Sequence, residues 1–241
     1  MLTFKQFLEE SQWMYHGSPA KIDHLKPNRD EYMIDRAVGS HFAADPEVSK
    51  KFQAGLHRNN HGQTKIEGNL YRTRAPTRAK LFKVPQKTYK NKKFPNWRGR
   101  QSDQDAIGSH IAGTVFSQPE HKHLFKAWIS KARGIDGAQH ADEIHSLLSN
   151  GKAPSDAKFG VAAAKSTNFH HYVSNFDSNL SMQPHEGFKR EVVNHYIDHM
   201  TKKGYHGLTY TNTAPSETDG KVRSKKSYVI FHPEKHKLEK V

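Results

Sequence analysis

The chain has 241 residues, which suits one large domain, or a domain with a sizeable insertion, and is long enough to bury a real core. It has no cysteine, which excludes disulfides and thiolate chemistry, and no stretch near the roughly 18 to 20 apolar residues that span a bilayer, so we predict a soluble protein without a membrane partner. Its 38 Lys and Arg against 24 Asp and Glu give a formal charge of +14, which attracts polyanions such as nucleic acid or a dinucleotide.

The first ten residues, Met-Leu-Thr-Phe-Lys-Gln-Phe-Leu-Glu-Glu, look detached from the rest of the chain. Their apolar side chains favour an amphipathic turn or two, and the plain interpretation is a short helix docked on the core. They lack the apolar stretch of about 7–15 residues that marks a secretory signal, so we do not expect export by that route.

Two strands and a helix are predicted next. Residues 13–16 are aromatic and β-favouring, and the Gly-Ser-Pro at 17–19 stops them, so they predict a strand that runs into a turn. Residues 38–43 predict a second strand. Asp45 is a fitting N-cap for the helix after this strand, with Pro46 at its first helical position.

The middle of the chain shows weaker patterns. Residues 69–84 alternate between apolar and basic side chains and predict strands with a break at Pro76. Residues 86 to about 188 are rich in Lys, His, Gly and Ser, and we interpret them as a mostly helical insertion. Its helical pieces are predicted near 105–116, 121–133 and 140–149.

Clear patterns return toward the C-terminus. Residues 188–203 carry apolar side chains at helical spacing, and Gly204 supplies the C-terminal stop. Residues 208–210 predict a strand and 211–226 a polar loop. Residues 227–231 predict the last strand.

Three segments carry the candidate chemistry: Tyr15-His16-Gly17-Ser18, then Gly39-Ser40-His41-Phe42-Ala43 with its helix, and then Gly204-Tyr205-His206-Gly207 through Glu217 to the strand at 227–231. In order and spacing they resemble the His-Tyr-Glu branch of the ADP-ribosyltransferases, the branch of diphtheria toxin and the poly-ADP-ribose polymerases. They are also similar to the transferase domains in phage polyvalent proteins. The resemblance covers about half of the chain, at its two ends.

The resemblance implies NAD-binding roles for the first motif. His16 would hydrogen-bond the adenosine ribose of NAD, and the Gly17 backbone would hold the nicotinamide carboxamide. Tyr15 and Ser18 flank them and are counted among the NAD-binding residues.

The second and third motifs supply the rest of the implied site. His41 stands before Phe42 where the family usually has Tyr, although some relatives, including RNA 2′-phosphotransferases, have His. Ser49 would bind the carboxamide and Phe52 would stack on the nicotinamide ring. Glu217 would bind the 2′-hydroxyl of the nicotinamide ribose.

Glu217, His16 and His41 are therefore the catalytic candidates. Breaking the nicotinamide–ribose bond builds positive charge on the sugar, and a fixed carboxylate beside the sugar stabilises that charge. Nicotinamide leaves as a neutral molecule, so no general acid is required. The register of the third motif is open by a residue or two, because Asp219 lies close to Glu217.

Each of these residues also has a plain interpretation when taken alone. A lone histidine such as His16 is more often structural, and a loop acid such as Glu217 is more often solvated, so the order of the motifs is what favours a shared site. His195 and His199 have the spacing of a metal-binding pair on a helix. Without a neighbouring Glu or a cysteine we expect no bound metal there.

Three functions are consistent with these observations. The first is an NAD-dependent mono-ADP-ribosyltransferase that modifies a host protein or nucleic acid. The second is a non-enzymatic basic protein of a phage head that binds DNA or a host factor. It is favoured by the charge and by Lys87–Arg100, where cations mix with aromatic residues. The third keeps the fold but hydrolyses NAD or transfers phosphate from RNA. The charge by itself is equally consistent with a surface that only aids solubility.

The implied fold is α+β, in one domain over residues 11–241. Its core would be two packed, mostly antiparallel sheets with NAD in the cleft between them. The helical insertion at about 86–188 would lie to one side of that core.

Residues 1–10 resemble the capsid-targeting peptides of large tailed phages, which read Met-x-Thr-Phe/Tyr-x-x-Phe-Leu/Ile-x-Glu. In that family the prohead protease cuts after the final Glu, here Glu10. By implication the mature chain begins at Ser11, travels inside the phage head and enters the host cytoplasm with the DNA.

We predict that protein recovered from virions starts at Ser11, whereas recombinant protein keeps Met1, because only the phage assembly pathway would supply the protease. Mass spectrometry of the intact virion protein measures this directly. An intact Met1 in virions would remove the packaging hypothesis and leave the enzymatic one untouched.

Overall fold

The computed structural model describes most of the chain, with gaps. The described residues are 13–27, 29, 34–53, 56–59, 62–65, 68–76, 80–85, 88–90, 98–100, 103–130, 142, 145–146, 149–150, 185–212 and 225–241. The predicted targeting peptide with its cleavage site between Glu10 and Ser11 lies outside these residues, as does the loop that carries Glu217 and Asp219.

Helices and strands both occur along the described chain. The helices are α1 (Ile34–Ala37), α2 (Pro46–Gln53), α3 (Asp103–Phe116), α4 (Lys122–Ile129) and α5 (Phe188–Lys202). The strands are β1 (Trp13–Ser18), β2 (Ser40–Ala43), β3 (Leu56–Asn59), β4 (Gly62–Lys65), β5 (Asn69–Arg74), β6 (Leu81–Lys83), β7 (Thr88–Lys90), β8 (Arg98–Arg100), β9 (Gly207–Asn212), β10 (Lys225–Ile230) and β11 (Glu239–Lys240).

The chain divides into two compact units, and each is described by itself. The first unit contains the strands together with α2, and the second contains α1, α3, α4 and most of α5. In the first unit, seven strands form one sheet in the order β11-β5-β1-β2-β10-β9-β6. Neighbours are antiparallel except β6 and β9, which are parallel. The predicted α+β class is confirmed at this level.

The described strands do not form the two packed sheets that the resemblance implied. Instead β1 and β2 pair edge to edge, so that β11, β5 and β1 belong to the same sheet as β2, β10, β9 and β6. Their pairing is short, because Tyr15 opposite Ala43 is the one aligned pair between them among the described residues. By contrast, β1 is aligned with β5 from Trp13 to Ser18. The sheet is thus continuous but joined at its centre by a single pair.

One face of this sheet carries the core of the first unit. Met14 of β1, Phe42 of β2 and Tyr228 of β10 lie in one buried cluster with Leu25 and other apolar side chains. Burial of each such side chain stabilises the fold by about 1.5–3 kcal/mol. The loop after β1 covers this face, and the Ile22 N–H donates to the Tyr71 hydroxyl at 2.7 Å.

Helix α2 begins where the sequence predicted. The Asp45 carboxylate accepts a hydrogen bond from the Glu47 N–H at 2.9 Å, and Pro46 is the first helical residue. An N-cap of this kind is worth about 1 kcal/mol. The helix packs against β1, β2 and β5, and it buries Val48 and Ser49. The cap therefore fixes the start of the element that supports β1 and β2.

The second unit contains the predicted helices. Helices α3 and α4 confirm the pieces predicted near 105–116 and 121–133, although α4 ends at Ile129. Stacking of the Phe116 and Trp128 rings, with centroids 5.2 Å apart, joins them. Helix α5 confirms the prediction over 188–203, and Gly204 comes after it with a φ of +84°, the left-handed backbone that favours glycine at a helix end.

Two strands within residues 86–188 were missed by the prediction of a mostly helical insertion. Strands β7 and β8 pair antiparallel, with Thr88 opposite Arg100 and Lys90 opposite Arg98. They lie inside the basic segment Lys87–Arg100, whose side chains are outside the described residues. The two strands were not predicted because each is only three residues long and carries no clear alternation.

The prediction that 227–231 is the last strand was wrong. After Pro233 the chain makes a short turn of 3₁₀ helix and then adds β11 to the edge of β5. The Val241 N–H donates to the Leu70 carbonyl at 2.9 Å, and Arg72 pairs with Glu239 at 3.0 Å. Such a two-residue strand is held by backbone pairing with its neighbour, so its own sequence gives no pattern to detect.

Two glycines lie so close to the backbone of β10 that no side chain would fit at their positions. A Cβ on Gly39 would overlap the Ile230 carbonyl, and a Cβ on Gly207 would overlap the Val229 carbonyl. Both glycines flank strands of the candidate motifs. Their lack of a side chain is what lets β2 and β9 lie close to β10 on either side.

We expect Gly207→Ala to lower the free energy of unfolding by about 1–3 kcal/mol, because the added methyl group has no space beside Val229. Urea denaturation of wild type and variant measures this. Gly113→Ala in α3 is the matched control, since a Cβ there meets nothing within 4 Å and removes a helix-interior glycine, a gain of about 0.5–1 kcal/mol. Equal effects of the two substitutions would contradict the close approach.

Candidate functional site

The candidate site lies where β1 and β2 stop pairing. Their alignment ends at Tyr15 and Ala43, and the neighbouring residues on each strand, 16–18 and 40–42, have no aligned partners across this gap. We call this region the β1–β2 junction. It brings together the first and second motifs predicted from the sequence, both of which belong to the first unit.

His16 bridges the junction with its side chain. Its Nδ1 lies 2.8 Å from the His41 carbonyl oxygen, and its ring centroid lies 5.5 Å from that of Phe42. Because a carbonyl oxygen only accepts, Nδ1 must carry a proton and donate it. In the neutral ring Nε2 is then an acceptor.

Burial lowers the pKa of His16 below its ordinary value of 6.5. The hydrogen bond to the His41 backbone raises the pKa, and the nearby His41 side chain lowers it, but burial is the largest cause. His16 is therefore neutral at pH 7. It offers an acceptor, not a positive charge, to whatever binds beside it.

His41 contacts a residue that the sequence did not single out. Its Nδ1 lies 2.9 Å from the Tyr210 hydroxyl, and the two rings meet edge to face with centroids 6.0 Å apart. Tyr210 is aligned with Ser227, which is aligned with Ala43. His41 and Tyr210 thus reach each other diagonally across β10, on one face of the sheet.

Ser49 holds α2 against β1. Its hydroxyl is buried and donates to the Tyr15 carbonyl at 2.7 Å, so its described contact is structural. The predicted contact of Ser49 with a carboxamide stays a prediction. Phe52 lies in α2, but its side chain is outside the described residues.

The remaining residues of the first motif lie along β1. Gly17 is aligned with Leu70 of β5. The Ser18 hydroxyl is buried and accepts a hydrogen bond from the Ala20 N–H at 3.1 Å, which stabilises the turn after β1. The strand runs through Gly17 and Ser18, where the sequence predicted a stop, because both residues pair with β5.

The described residues of the site carry two imidazoles, a phenol and two hydroxyls. These groups form hydrogen bonds, which suit hydroxyl, amide or phosphate groups of a ligand. Within the described ranges, no group of three or more His, Asp or Glu side chains is arranged to hold a metal ion. In the second unit, the His195 ring is tilted against that of His121 with centroids 4.1 Å apart, and His195 Nε2 lies 4.0 Å from a Glu191 oxygen.

Comparison of the chain with protein-family models, with curated proteins and with solved structures gave no match. In the described part of the chain, none of the helices combines the length and the apolar character that crossing a bilayer requires.

We expect His16 to make stability depend on pH. Its folded pKa is lowered, so its contribution is fully present above 6.5 and is lost as the pH falls through 6.5 toward the lowered value, where the unfolded chain binds the proton first. Wild type should therefore lose more unfolding free energy between pH 7.5 and pH 5 than His16→Asn. Urea denaturation at both pH values measures the difference.

The matched control is His24→Asn, which changes an exposed histidine. It should keep the wild-type loss between the two pH values. If His16→Asn also keeps the full loss, burial of His16 does not control its protonation.

Proposed function

We propose that the chain is an NAD-dependent mono-ADP-ribosyltransferase that modifies a host protein or nucleic acid. The supporting observation is the hydrogen bond between His16 and the His41 backbone, which joins two motifs 25 residues apart. If the two motifs resembled the family only by chance, we would not expect them to contact each other at the β1–β2 junction. The resemblance assigns NAD to these same residues.

The hydrogen-bonding capacity of His16 suits the proposed ligand. Its Nε2 accepts, and a ribose hydroxyl donates, so the two are complementary while the ring is neutral. The backbone at Gly17 would hold the carboxamide of nicotinamide.

The proposed reaction transfers the ADP-ribosyl group to an acceptor nucleophile. The bond between nicotinamide and the ribose breaks, the electron pair leaves with nicotinamide, and the acceptor forms the new bond to the same carbon. The acceptor's proton passes to solvent. Positive charge builds on the sugar between these events, and Glu217 would stabilise it.

The proposed route to the host rests on residues 1–10. Cleavage after Glu10 would release a chain that begins at Ser11 inside the phage head, and injection with the DNA would deliver it to the host cytoplasm. The charge of +14 is compatible with storage beside DNA. This part of the proposal stands on the resemblance of the peptide alone.

Incubation of the protein with labelled NAD and host lysate tests the function against its alternatives. Label on a macromolecule supports transfer, and nuclease or protease treatment identifies its chemical class. Free ADP-ribose indicates hydrolysis instead. No consumption of NAD favours the non-enzymatic, basic polyanion-binding protein.

We expect Glu217→Gln to lower turnover by about 10²-fold or more while NAD binding is retained, because it removes one preorganised charge from the transition state. Single-turnover rates and equilibrium binding of NAD separate the two effects. Asp219→Asn is the matched control, and its turnover should fall far less. If Asp219→Asn is the inactive variant, the register of the third motif is wrong.

A further inference from the structure

We propose that Tyr210 is a positioning residue, which donates its hydroxyl proton to His41 Nδ1 and thereby keeps the proton of the neutral His41 ring on Nε2. The tautomer claim stands on geometry alone. Its consequence for turnover rests on the proposed function.

The first step of the argument is the placement of Tyr210. It lies in β9, and its backbone is aligned with Ser227 of β10, whereas the alignment of β9 with β6 covers Gly207 to Thr209. Tyr210 is 7% exposed. Its hydroxyl lies 2.9 Å from His41 Nδ1, a normal hydrogen-bond distance.

The second step is the direction of the hydrogen bond. A neutral imidazole nitrogen is a strong acceptor, and a phenol hydroxyl is a much better proton donor than a neutral imidazole N–H. The arrangement O–H···N is therefore favoured over N–H···O. Since Nδ1 accepts, the single proton of the neutral His41 ring lies on Nε2, which becomes a donor.

The third step compares the two histidines of the junction. His16 donates through Nδ1 to the His41 carbonyl, which leaves its Nε2 as an acceptor. His41 accepts through Nδ1 from Tyr210, which leaves its Nε2 as a donor. The two rings thus offer opposite hydrogen-bonding functions at Nε2.

The consequence concerns the position where the family usually has Tyr. A tyrosine there supplies an O–H donor, and an imidazole supplies a comparable donor only when the proton is on Nε2. Tyr210 would therefore allow His41 to act as a donor toward the substrate. We expect removal of the Tyr210 hydroxyl to weaken the preference for Nε2, so that a larger part of the protein presents an acceptor there.

The test is the tautomer of His41, read from ¹H–¹⁵N spectra of protein labelled at histidine. Measurement at about pH 8.5, some two units above the ordinary histidine pKa, keeps imidazoles neutral. The His41 signals are assigned by their loss in His41→Gln. We expect an Nδ1 signal typical of an unprotonated nitrogen in wild type, and a shift toward a mixture of tautomers in Tyr210→Phe.

Tyr71→Phe is the matched control. It also removes one hydroxyl from the same sheet, but that hydroxyl accepts from the Ile22 N–H and does not contact His41. The His41 signals should therefore stay at their wild-type positions. Tyr210→Phe keeps the aromatic ring, so its packing in the sheet is preserved.

The outcomes separate this inference from the proposed function. A wild-type His41 protonated on Nδ1, or a tautomer that Tyr210→Phe leaves unchanged, overturns the positioning role. If the tautomer shifts as expected but wild type does not consume NAD, the positioning role stands and the proposed function fails. Where NAD is consumed, we expect Tyr210→Phe to lower kcat by about tenfold with little change in KM, the size of one neutral hydrogen bond.

Discussion

The hydrogen bond from His16 to the His41 carbonyl is the contact on which the candidate site depends. The seven-stranded sheet is joined at its centre by one aligned pair, Tyr15 with Ala43. If β1 and β2 continued to pair beyond it, their backbones would fill the gap and the motif residues would be ordinary strand residues. The imidazole supplies a donor to the His41 carbonyl there, which keeps a buried polar group satisfied while the strands stay unpaired. The junction therefore serves both the fold and the site.

Strand β10 transmits this arrangement to the rest of the sheet. It lies between β2 and β9, and Ser227, which is aligned with Tyr210 on one side and with Ala43 on the other, places only a small side chain next to Tyr210. The same strand presents its carbonyl groups to Gly39 and Gly207, where a Cβ has no space. The small residues Gly39, Gly207 and Ser227 thus let β2 and β9 lie close to β10. A bulkier residue at position 227 would crowd Tyr210 while both His41 and Tyr210 stay unchanged in the sequence.

Local features of the fold were predictable from the sequence, and contacts between distant residues were not. The Asp45 cap and the long helix α5 depend on residues that are neighbours in the chain, so pattern and capping rules identify them. His41 and Tyr210 are 169 residues apart, and their contact depends on the order β2-β10-β9, which no local pattern encodes. The seven-stranded sheet was missed for the same reason. Only the aligned pair of Tyr15 and Ala43 joins the strands on the β1 side of this sheet to those on the β2 side. The motifs predicted that His16 and His41 belong to one site, and the structure shows a hydrogen bond from His16 Nδ1 to the His41 carbonyl.

The protonation of His16 is as informative as its contacts. The chain carries a formal charge of +14, yet burial lowers the pKa of His16 and keeps this residue neutral at pH 7. In the proposed reaction, positive charge develops on the nicotinamide ribose beside Glu217, whereas His16 would bind the adenosine ribose. A neutral His16 supplies the acceptor that a hydroxyl of the adenosine ribose needs, and a protonated ring would offer only donors there. The burial of His16 therefore suits binding of this hydroxyl better than an exposed, readily protonated histidine would, and it leaves attraction of the dinucleotide phosphates to basic residues elsewhere on the surface.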